Sequence, residues 1–494
     1  MSIPIGLCDK EADEMKSRVD WTLLTNAMLS GFLAGIATRL FLISMPTLAN
    51  NLGTDMVGIS WALMSYPLAV VSLSLVFGRL GDLYGRQTIF ALGFLIFTVA
   101  SFLCGLSQNV FQLVLFRFFQ GVGGAMTQSQ SRALAMEVVP ESAVGKAQGL
   151  ITAAHQAGFL LGPSLGGLII DYIHWRGIFF FMVPLGAVGT LVTWIKKKKS
   201  VNQPDLSAKA PNLSVDYLGA VLLILTAVTL ISILDRRIIE VVPPVWARIL
   251  VLSFIGSFLG FLLRESIASS PILHLSLFRI RMFAFSTLCL LFVSSTYVTM
   301  SFMLPFYLQE VLWLSPSFVG MLYLSSPLIT MLLSPIGGYF SDRFGPTVPA
   351  TAGLVMFGLS YLIGTMLQPD SHWLLPTLIL VLAGVGDGLF SPPNHTAMIG
   401  AVPKEHLSVA SGALQMMFGL GSVLGISLGN FLLTAAFRLY TGRDTAIPTP
   451  SEPAIFVAAL NLSFLYVTGI ILVASLFSLM RSTGKKKVAG YFKH

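Results

Sequence analysis

The sequence predicts an all-α membrane protein in which two six-helix bundles flank an inserted pair of helices. Its composition is 55% hydrophobic and 11% charged, whereas roughly 25% of the residues in a soluble domain are charged. The mean hydropathy of +0.81 excludes a water-soluble globule. Apolar runs of 18 or more residues recur along the chain, and each can cross a hydrocarbon core of roughly 30 Å as a helix. Backbone groups in lipid must be satisfied within their own segment, which favours helices throughout.

Fourteen apolar spans are predicted along the chain. They cover residues 22–45, 57–77, 88–107, 111–136, 146–170, 178–195, 215–234, 246–263, 283–308, 318–340, 347–367, 373–398, 406–436 and 454–480. The first six belong to an N-terminal bundle (1–200), the next two to a linker (201–281) and the last six to a C-terminal bundle (282–494). An even count returns the C-terminus to the side of the N-terminus.

The distribution of Lys and Arg predicts on which side of the membrane the two termini lie. About 21 of the 30 Lys and Arg residues fall in segments that this topology places inside the cell, as the positive-inside rule requires. The acidic N-terminus has no apolar core and is not a signal peptide. We therefore predict a multi-pass protein of the cell membrane, inner or plasma, with both termini cytoplasmic. The basic runs Lys196–Lys199 and Lys485–Lys487 indicate topology rather than nucleic-acid binding.

The sequence predicts no soluble catalytic domain, no disulfide framework and no metal site. No predicted extramembrane stretch after the N-terminal tail exceeds about 20 residues, which leaves no room for a soluble catalytic domain. Cys8, Cys104 and Cys289 are too scattered for a disulfide framework or a thiolate metal site. The histidines form no metal-binding motif. We therefore expect no enzymatic activity, no metal and no cofactor.

An internal repeat relates the two bundles at an offset of 263 residues. The matches are Gly121-Val122-Gly123 with Gly384-Val385-Gly386, Val139-Pro140 with Val402-Pro403, Gly149 with Gly412, and Gly158, Gly162 and Gly166 with Gly421, Gly425 and Gly429. Parallel repeats with a site between them are typical of transporters, whose halves rock to expose the centre alternately. The alternative is a duplicated membrane receptor or scaffold without transport.

The polar stretch GRLGDLYGRQ (78–87) lies between the second and third spans. Its glycines allow a tight turn, Asp82 can face a helix N-terminus, and Arg86 can reach a carboxylate such as Glu137. A shortened copy recurs in the second half. We predict a charged latch at the cytoplasmic face, formed by Gly78, Asp82, Gly85, Arg86, Glu137, Asp342 and Arg343. The alternative is an ordinary solvated hairpin.

A second pattern predicts close helix packing. Gly158, Gly162 and Gly166 lie one turn apart on one helix face, where another helix can approach closely. Pro163 removes a backbone donor beside that face, and Gly167 follows it. The pattern suits a helix that must pivot, although it is also common in structural packing.

These stretches resemble the major facilitator superfamily. Its loop motif is matched at Gly78, Leu80, Asp82, Gly85 and Arg86, its fourth-helix motif at Leu113, Arg117, Gln120 and Gly121, and the fifth-helix motif of its exporters at Gly158, Gly162, Pro163, Gly166 and Gly167. The layout is similar to the drug:proton antiporter branch with fourteen helices. The resemblance implies a secondary transporter that exports hydrophobic or amphiphilic compounds in exchange for protons by alternating access. We expect it to function as a monomer surrounded by lipid.

One departure from that branch concerns the first helix. The branch carries an acid where this chain has Ala37, and Arg39 adds a positive charge two residues later. We therefore predict Asp387, near the bilayer midplane, as the proton carrier, with neighbouring glycines that leave room around it. His155 is the second candidate. The alternatives are a permanently ionised Asp387 paired with an arginine, and a structural role for His155.

The remaining polar residues of the interior are candidates for contact with substrate. They are Arg39, Arg117, Gln120 and Gln156. A guanidinium within the membrane is costly unless it faces a cavity or a partner, and the alternative for Arg117 is a hydrogen bond to backbone carbonyls. Because the interior has more arginines than acids, it also favours a second substrate class, an anionic amphiphile or lipid.

Overall fold

A computed structural model describes residues 20–139, 144–200, 216–234, 243–268, 275–402, 407–443 and 447–481, and this part of the chain contains no strand. The first half consists of α1 (Trp21–Asn51), α2 (Met56–Tyr84), α3 (Arg86–Leu106), α4 (Val110–Glu137), α5 (Val144–Tyr172) and α6 (Met182–Ser200, after the short helical turn Gly177–Phe180). The inserted pair consists of α7 (Tyr217–Leu234) and α8 (Pro244–Ile267).

The second half begins after the short 3₁₀ turn Leu275–Arg279. It consists of α9 (Arg281–Phe306, continued by a π-helical turn Tyr307–Val311), α10 (Pro316–Tyr323 and, after Leu324, Ser325–Phe344), α11 (Thr347–Gly364), α12 (Leu374–Gly400), α13 (Leu407–Thr441) and α14 (Pro453–Leu479).

The predicted all-α membrane fold is confirmed. Among the described residues, 13 helices are long and apolar enough to cross a membrane. The shorter apolar stretch Val221–Ile233 belongs to α7, which coincides with another predicted span. Each of the fourteen predicted spans therefore corresponds to one helix.

Local sequence explains where several helices begin and turn. The Asp20 carboxylate accepts the backbone N–H of Thr22 at 3.0 Å and begins α1, and Asn109 caps α4 in the same way. Gly85 and Gly345 join α2 to α3 and α10 to α11 with φ values of 89° and 82°, which other residues rarely adopt. Both turns lie at one end of the bundle, called the Gly85 end. The opposite end holds the α1–α2 turn and is called the Gly53 end.

The two halves repeat one packing scheme. In the first half, α1 packs against α5 while α4 packs against both α2 and α3. In the second half, α9 packs against α13 while α12 packs against both α10 and α11. The equivalent helices therefore make equivalent contacts.

Polar contacts join the halves at the Gly53 end. Gln309 Nε2 donates to the Ile43 carbonyl at 2.8 Å, and Asn50 Nδ2 donates to a Glu310 carboxylate oxygen at 2.9 Å. Towards the Gly85 end, α5 and α10 carry exposed side chains such as Leu150 and Met331. The halves therefore converge at the Gly53 end and diverge towards the Gly85 end.

Candidate functional site

Four side chains from both halves meet about midway along their helices. Arg39 of α1 lies with its Cζ 3.6 Å from the ring centroid of Phe159 in α5. The same atom lies 5.3 Å from the ring centroid of Tyr297 in α9. Asp387 of α12 is close enough for electrostatic interaction with Arg39. These residues, Arg39, Phe159, Tyr297 and Asp387, are called the central site.

The Arg39 guanidinium has unused hydrogen-bonding capacity. It carries five N–H donors, yet it makes no hydrogen bond or ion pair with any residue in the described part of the chain. Arg39 is nevertheless 5% exposed. Stacking on aromatic faces offsets part of the cost of keeping a cation there. The remaining donors can bind an acceptor or an anion that enters the site.

Asp387 is the acid of the site. The side chain is half-buried, and its carboxylate accepts a hydrogen bond from the Ser391 hydroxyl one turn along α12. The Thr330 hydroxyl of α10 donates to the Gly384 carbonyl at 3.1 Å, one turn before Asp387 on α12. No direct ion pair joins Asp387 to Arg39. The two side chains therefore lie near each other without forming an ion pair.

The expectation that the glycines around Asp387 leave room for water or substrate is wrong. A Cβ atom on Gly384 would lie 2.4 Å from the Ser326 carbonyl of α10, and one on Gly388 would lie 2.8 Å from the Leu333 Cβ. A Cβ on Gly386 would lie 2.9 Å from the Gly353 carbonyl of α11. Neighbouring helices fill these positions because small residues let backbones pack closely in lipid.

Two further tyrosines extend the site within the second half. The buried Tyr323 hydroxyl donates to the Ser301 carbonyl at 3.1 Å, and the buried Tyr361 hydroxyl donates to Thr296 Oγ1 at 3.4 Å. Tyr361 lies near Asp387, and Tyr323 lies near Arg39. The sequence analysis missed both of them, together with Phe159 and Tyr297. Aromatic residues at helical spacing are typical of any buried core and carry no distinguishing signal.

The α5 candidates differ from each other. His155 Nδ1 lies 3.2 Å from the Gly31 carbonyl of α1, and the centroid of its half-buried ring lies 6.2 Å from that of Phe159. Gln156, the next residue, is exposed. His155 therefore borders the central site, and Gln156 points away from the contact between α1 and α5.

Arg117 and Gln120 lie inside the first half. Arg117 is fully buried, and its Nη1 donates to Gln120 Oε1 at 2.7 Å. The Nε atom donates to the Ala62 carbonyl at 3.3 Å. The rings of Phe41 and Tyr66 lie 4.5 and 5.0 Å from Cζ. These contacts join α1, α2 and α4, so the residues that surround Arg117 are residues of one half.

The glycines of α5 face α1. A Cβ on Gly158 would lie 2.3 Å from the Phe32 carbonyl, and one on Gly162 would lie 2.5 Å from the Arg39 Cβ. Gly166 approaches the Leu40 carbonyl, at 3.1 Å. Because Gly162 lies directly behind Arg39, the close approach of these helices positions the central site.

The predicted latch is only partly described. Asp342 and Arg343 are exposed at the Gly85 end, and Arg343 Nη1 donates to the Tyr339 hydroxyl at 3.4 Å. The side chains of Asp82 and Glu137 lie outside the described part of the chain. The bridge to Glu137 therefore stays a prediction. Within the described residues, no group of three or more His, Cys, Asp or Glu could hold a metal ion.

The comparison with protein families identifies the fold and the general activity. The profile of the Major Facilitator Superfamily matches residues 27–295 and 283–490. The chain belongs to this superfamily. It is therefore a transporter, and the expectation that it is not an enzyme is confirmed.

Relatives of the chain are membrane transporters of bacteria. It is 28% identical to the riboflavin transporter RibZ of Clostridioides difficile over 94% of this chain and 98% of the relative. It is 26% identical to the multidrug transporter protein MdtP of Bacillus subtilis, over 92% and 83%. It is 28% identical to the tetracenomycin C resistance and export protein of Streptomyces glaucescens, over 87% and 79%.

Solved structures share the fold at lower identity. A bacterial homologue of the human lysosomal transporter Spinster, in an inward-facing and unoccupied conformation, is similar with a TM-score of 0.65. That likeness has 15% sequence identity and covers 93% of this chain and 96% of the other.

Proposed function

We propose that this transporter is a proton-coupled antiporter that exports hydrophobic or amphiphilic organic compounds by alternating access. One observation carries the proposal. Arg39 and Asp387, from opposite halves, lie near each other about midway along their helices, with no ion pair between them. Charged side chains at this depth are costly and typically mark a substrate or proton pathway. The relatives named for multidrug transport and tetracenomycin export support small organic compounds as substrates.

In the proposed cycle, the Gly85 end is cytoplasmic and the observed arrangement is inward-open. Substrate enters from that end and reaches Arg39 and the aromatic rings around it. The halves then rock, and the contacts at the Gly53 end between Gln309 and the Ile43 carbonyl must break. Asp387 takes up a proton from the outside after substrate leaves and releases it inside. The proton gradient thereby drives export.

Anionic amphiphiles are the second candidate substrate class. The observation that favours them is the set of Arg39 donors without an acceptor in the described part of the chain. A carboxylate, sulfonate or phosphate group could bind those donors with the geometry that a guanidinium prefers. The apolar part of such a molecule would contact Phe159 and Tyr297.

The test is transport by the purified protein in proteoliposomes, with and without an imposed pH gradient. Suitable probes of three charge types are ethidium, Nile red and anilinonaphthalene sulfonate. We expect uphill movement of at least one probe that requires the gradient. Equal rates of probe transport with and without the pH gradient would refute proton coupling. If no probe is transported although binding is retained, the protein would instead be a receptor or scaffold.

A further inference from the structure

The halves meet along two seams that differ in packing. One seam lies between α2 and α13, and the other lies between α5 and α10. Of an apolar 18-residue stretch in each helix, 67% of the residues are buried in α2 and 61% in α13, against 33% in α5 and 28% in α10. α5 and α10 are therefore less covered by protein than α2 and α13, and the Ser325–Phe344 segment of α10 makes few contacts with α5.

The α2–α13 seam is closed from the Gly53 end to the middle of the membrane. Asn430 hydrogen-bonds to Ser60, and the Ser427 hydroxyl lies 3.2 Å from the Met64 sulfur. Further in, a Cβ on Gly419 would lie 2.0 Å from Val71 Cγ2. These contacts extend over 11 residues of α2, which is roughly 16 Å of helix.

The inserted helix α7 covers this same seam. It packs against α2 and also against α13. Leu223, Ala227 and Ile231 are buried at intervals of one turn, and they form the face that α7 turns towards the protein. Leu225 lies on the opposite face and is 47% exposed. One inserted helix thus contacts both halves and shields their junction from lipid.

The α5–α10 seam is closed only near the Gly53 end. A Cβ on Gly167 would lie 2.2 Å from the Pro316 carbonyl, and one on Gly320 would lie 2.4 Å from the Pro163 carbonyl. Asp171 also accepts the backbone N–H of Ser317 at 2.8 Å. In the half of the membrane towards the Gly85 end, both helices are exposed instead.

Exposed apolar side chains lie on both helices towards the Gly85 end, and Gln156 is also exposed there on α5. On α10, Met331 is 62% exposed and Leu332 is 64% exposed. On α5, Ala153 is exposed two turns before Phe159, the residue on which Arg39 stacks. A molecule that enters between these helices meets hydrocarbon first and the guanidinium last.

We propose that α7 seals the α2–α13 seam, and that the α5–α10 seam is the entrance for an anionic amphiphile from the membrane leaflet at the Gly85 end. The apolar tail occupies the seam, and the anionic head group binds Arg39. Charge complementarity selects this occupant, because the donors of Arg39 lack an acceptor in the described residues. The inference rests on the proposed transport function and assigns a role to the inserted helix.

The first experiment compares two anions that share a chromophore. Dansylaminoundecanoic acid carries a long apolar tail, and dansylglycine does not. Transport of each is measured in proteoliposomes at two lipid concentrations. If the long probe enters from the leaflet, doubling the lipid at fixed protein dilutes the probe in the membrane. Its apparent KM, expressed as total probe concentration, should therefore rise about twofold. The KM of dansylglycine should not change. An apparent KM of the long probe, expressed as total probe concentration, that does not change with the amount of lipid would overturn the entrance.

A pair of variants locates the entrance. Met331→Trp adds bulk inside the seam and should lower transport of the long probe about tenfold while dansylglycine transport persists. Leu225→Trp places the same side chain on the exposed face of α7 and should change neither rate. Equal losses for both probes in Met331→Trp, or no loss for either, would contradict the proposal.

A third variant tests the seal. Ala227→Trp should lift α7 from the α2–α13 seam and restore entry of the long probe in the Met331→Trp background. Unrestored transport in a folded double variant would argue against sealing by α7.

The outcomes of these experiments also separate the proposed entrance from the proposed transport function. If dansylglycine moves but the long probe shows no lipid dependence, the entrance is wrong and transport stands. If neither probe moves, the proposed transport of anions fails and the entrance fails with it.

Discussion

Arg39 and Arg117 are both buried arginines within membrane helices, and they are accommodated in different ways. Arg117 donates from Nε and Nη1 to groups of its own half, and Phe41 and Tyr66 flank its guanidinium. Arg39 makes no such hydrogen bond within the described residues, and its neighbour Tyr297 belongs to the other half. A rocking motion of the halves would therefore change the surroundings of Arg39 and leave those of Arg117 intact. The contrast predicts a structural role for Arg117 and a role in substrate binding for Arg39.

The largest expected effect is on stability. Arg117→Ala leaves a cavity between α1, α2 and α4 and an unpaired Gln120 oxygen, so we expect a loss of about 3 kcal/mol. Arg39→Ala loses mainly cation–π contacts and should cost about 1 kcal/mol. Thermal unfolding in detergent measures both. Equal losses for the two variants would remove the distinction between the arginines.

The next effect concerns the helix that positions Arg39. Gly162→Leu forces a side chain into the space of the Arg39 Cβ and should cost about 2 kcal/mol through overpacking. It should also impair transport far more than Leu161→Ala, which alters an exposed neighbour. Transport rates normalised to folded protein test this. Equal tolerance at the two positions would mean that the approach of α5 to α1 does not position the site.

Substrate charge provides a finer test of the same comparison. Arg39→Gln removes the unpaired cation and should weaken binding of anilinonaphthalene sulfonate about tenfold, or about 1.4 kcal/mol. Arg39→Lys keeps the charge and should retain part of that binding. Equilibrium fluorescence titration measures the affinities. Undiminished anion binding in Arg39→Gln would exclude Arg39 as the anion site.

The smallest effect is expected for a charge outside the membrane spans. Burial raises the pKa of Asp20, but hydrogen bonds from Lys196 and the backbone N–H groups of Leu23 and Thr22 outweigh it and lower the pKa. A lowered pKa stabilises the fold above the unfolded value of about 4, and this contribution is lost as the pH falls below it.

Asp20→Asn should therefore cost about 0.5 kcal/mol at pH 7, as an ordinary surface ion pair does. The difference from wild type should diminish near pH 3. Thermal unfolding at both pH values provides the measurement. A larger difference at the lower pH would contradict the sign of the shift.

The sequence predicted the helices better than it predicted the site. Length and hydropathy identified all fourteen spans because the bilayer leaves helices as the available structure for apolar segments of this length. Polarity alone also made Arg39 and Asp387 candidates, since a charged side chain within a membrane helix is costly, and their role in transport stays a prediction. The pairing of residues 263 positions apart anticipated the repeated packing scheme.

Three features depended on the fold. The aromatic residues Phe159 and Tyr297 have no sequence signal that separates a site from a core, and only the packing of α5 and α9 brings them to Arg39. The glycines beside Asp387 were assigned to open space because the sequence does not reveal which helix lies against them. The cover that α7 provides over one seam follows from tertiary contacts that hydropathy does not encode.

We propose that Asp387 carries the proton that drives export. The most direct measurement is export in proteoliposomes by Asp387→Asn, with and without a pH gradient, beside exchange of labelled for unlabelled substrate at equal pH. We expect gradient-driven export to fall to the level of protein-free liposomes. Exchange, which needs substrate binding and rocking but no net proton transfer, should stay within about twofold of wild type. Uphill export by Asp387→Asn on a pH gradient would contradict the claim.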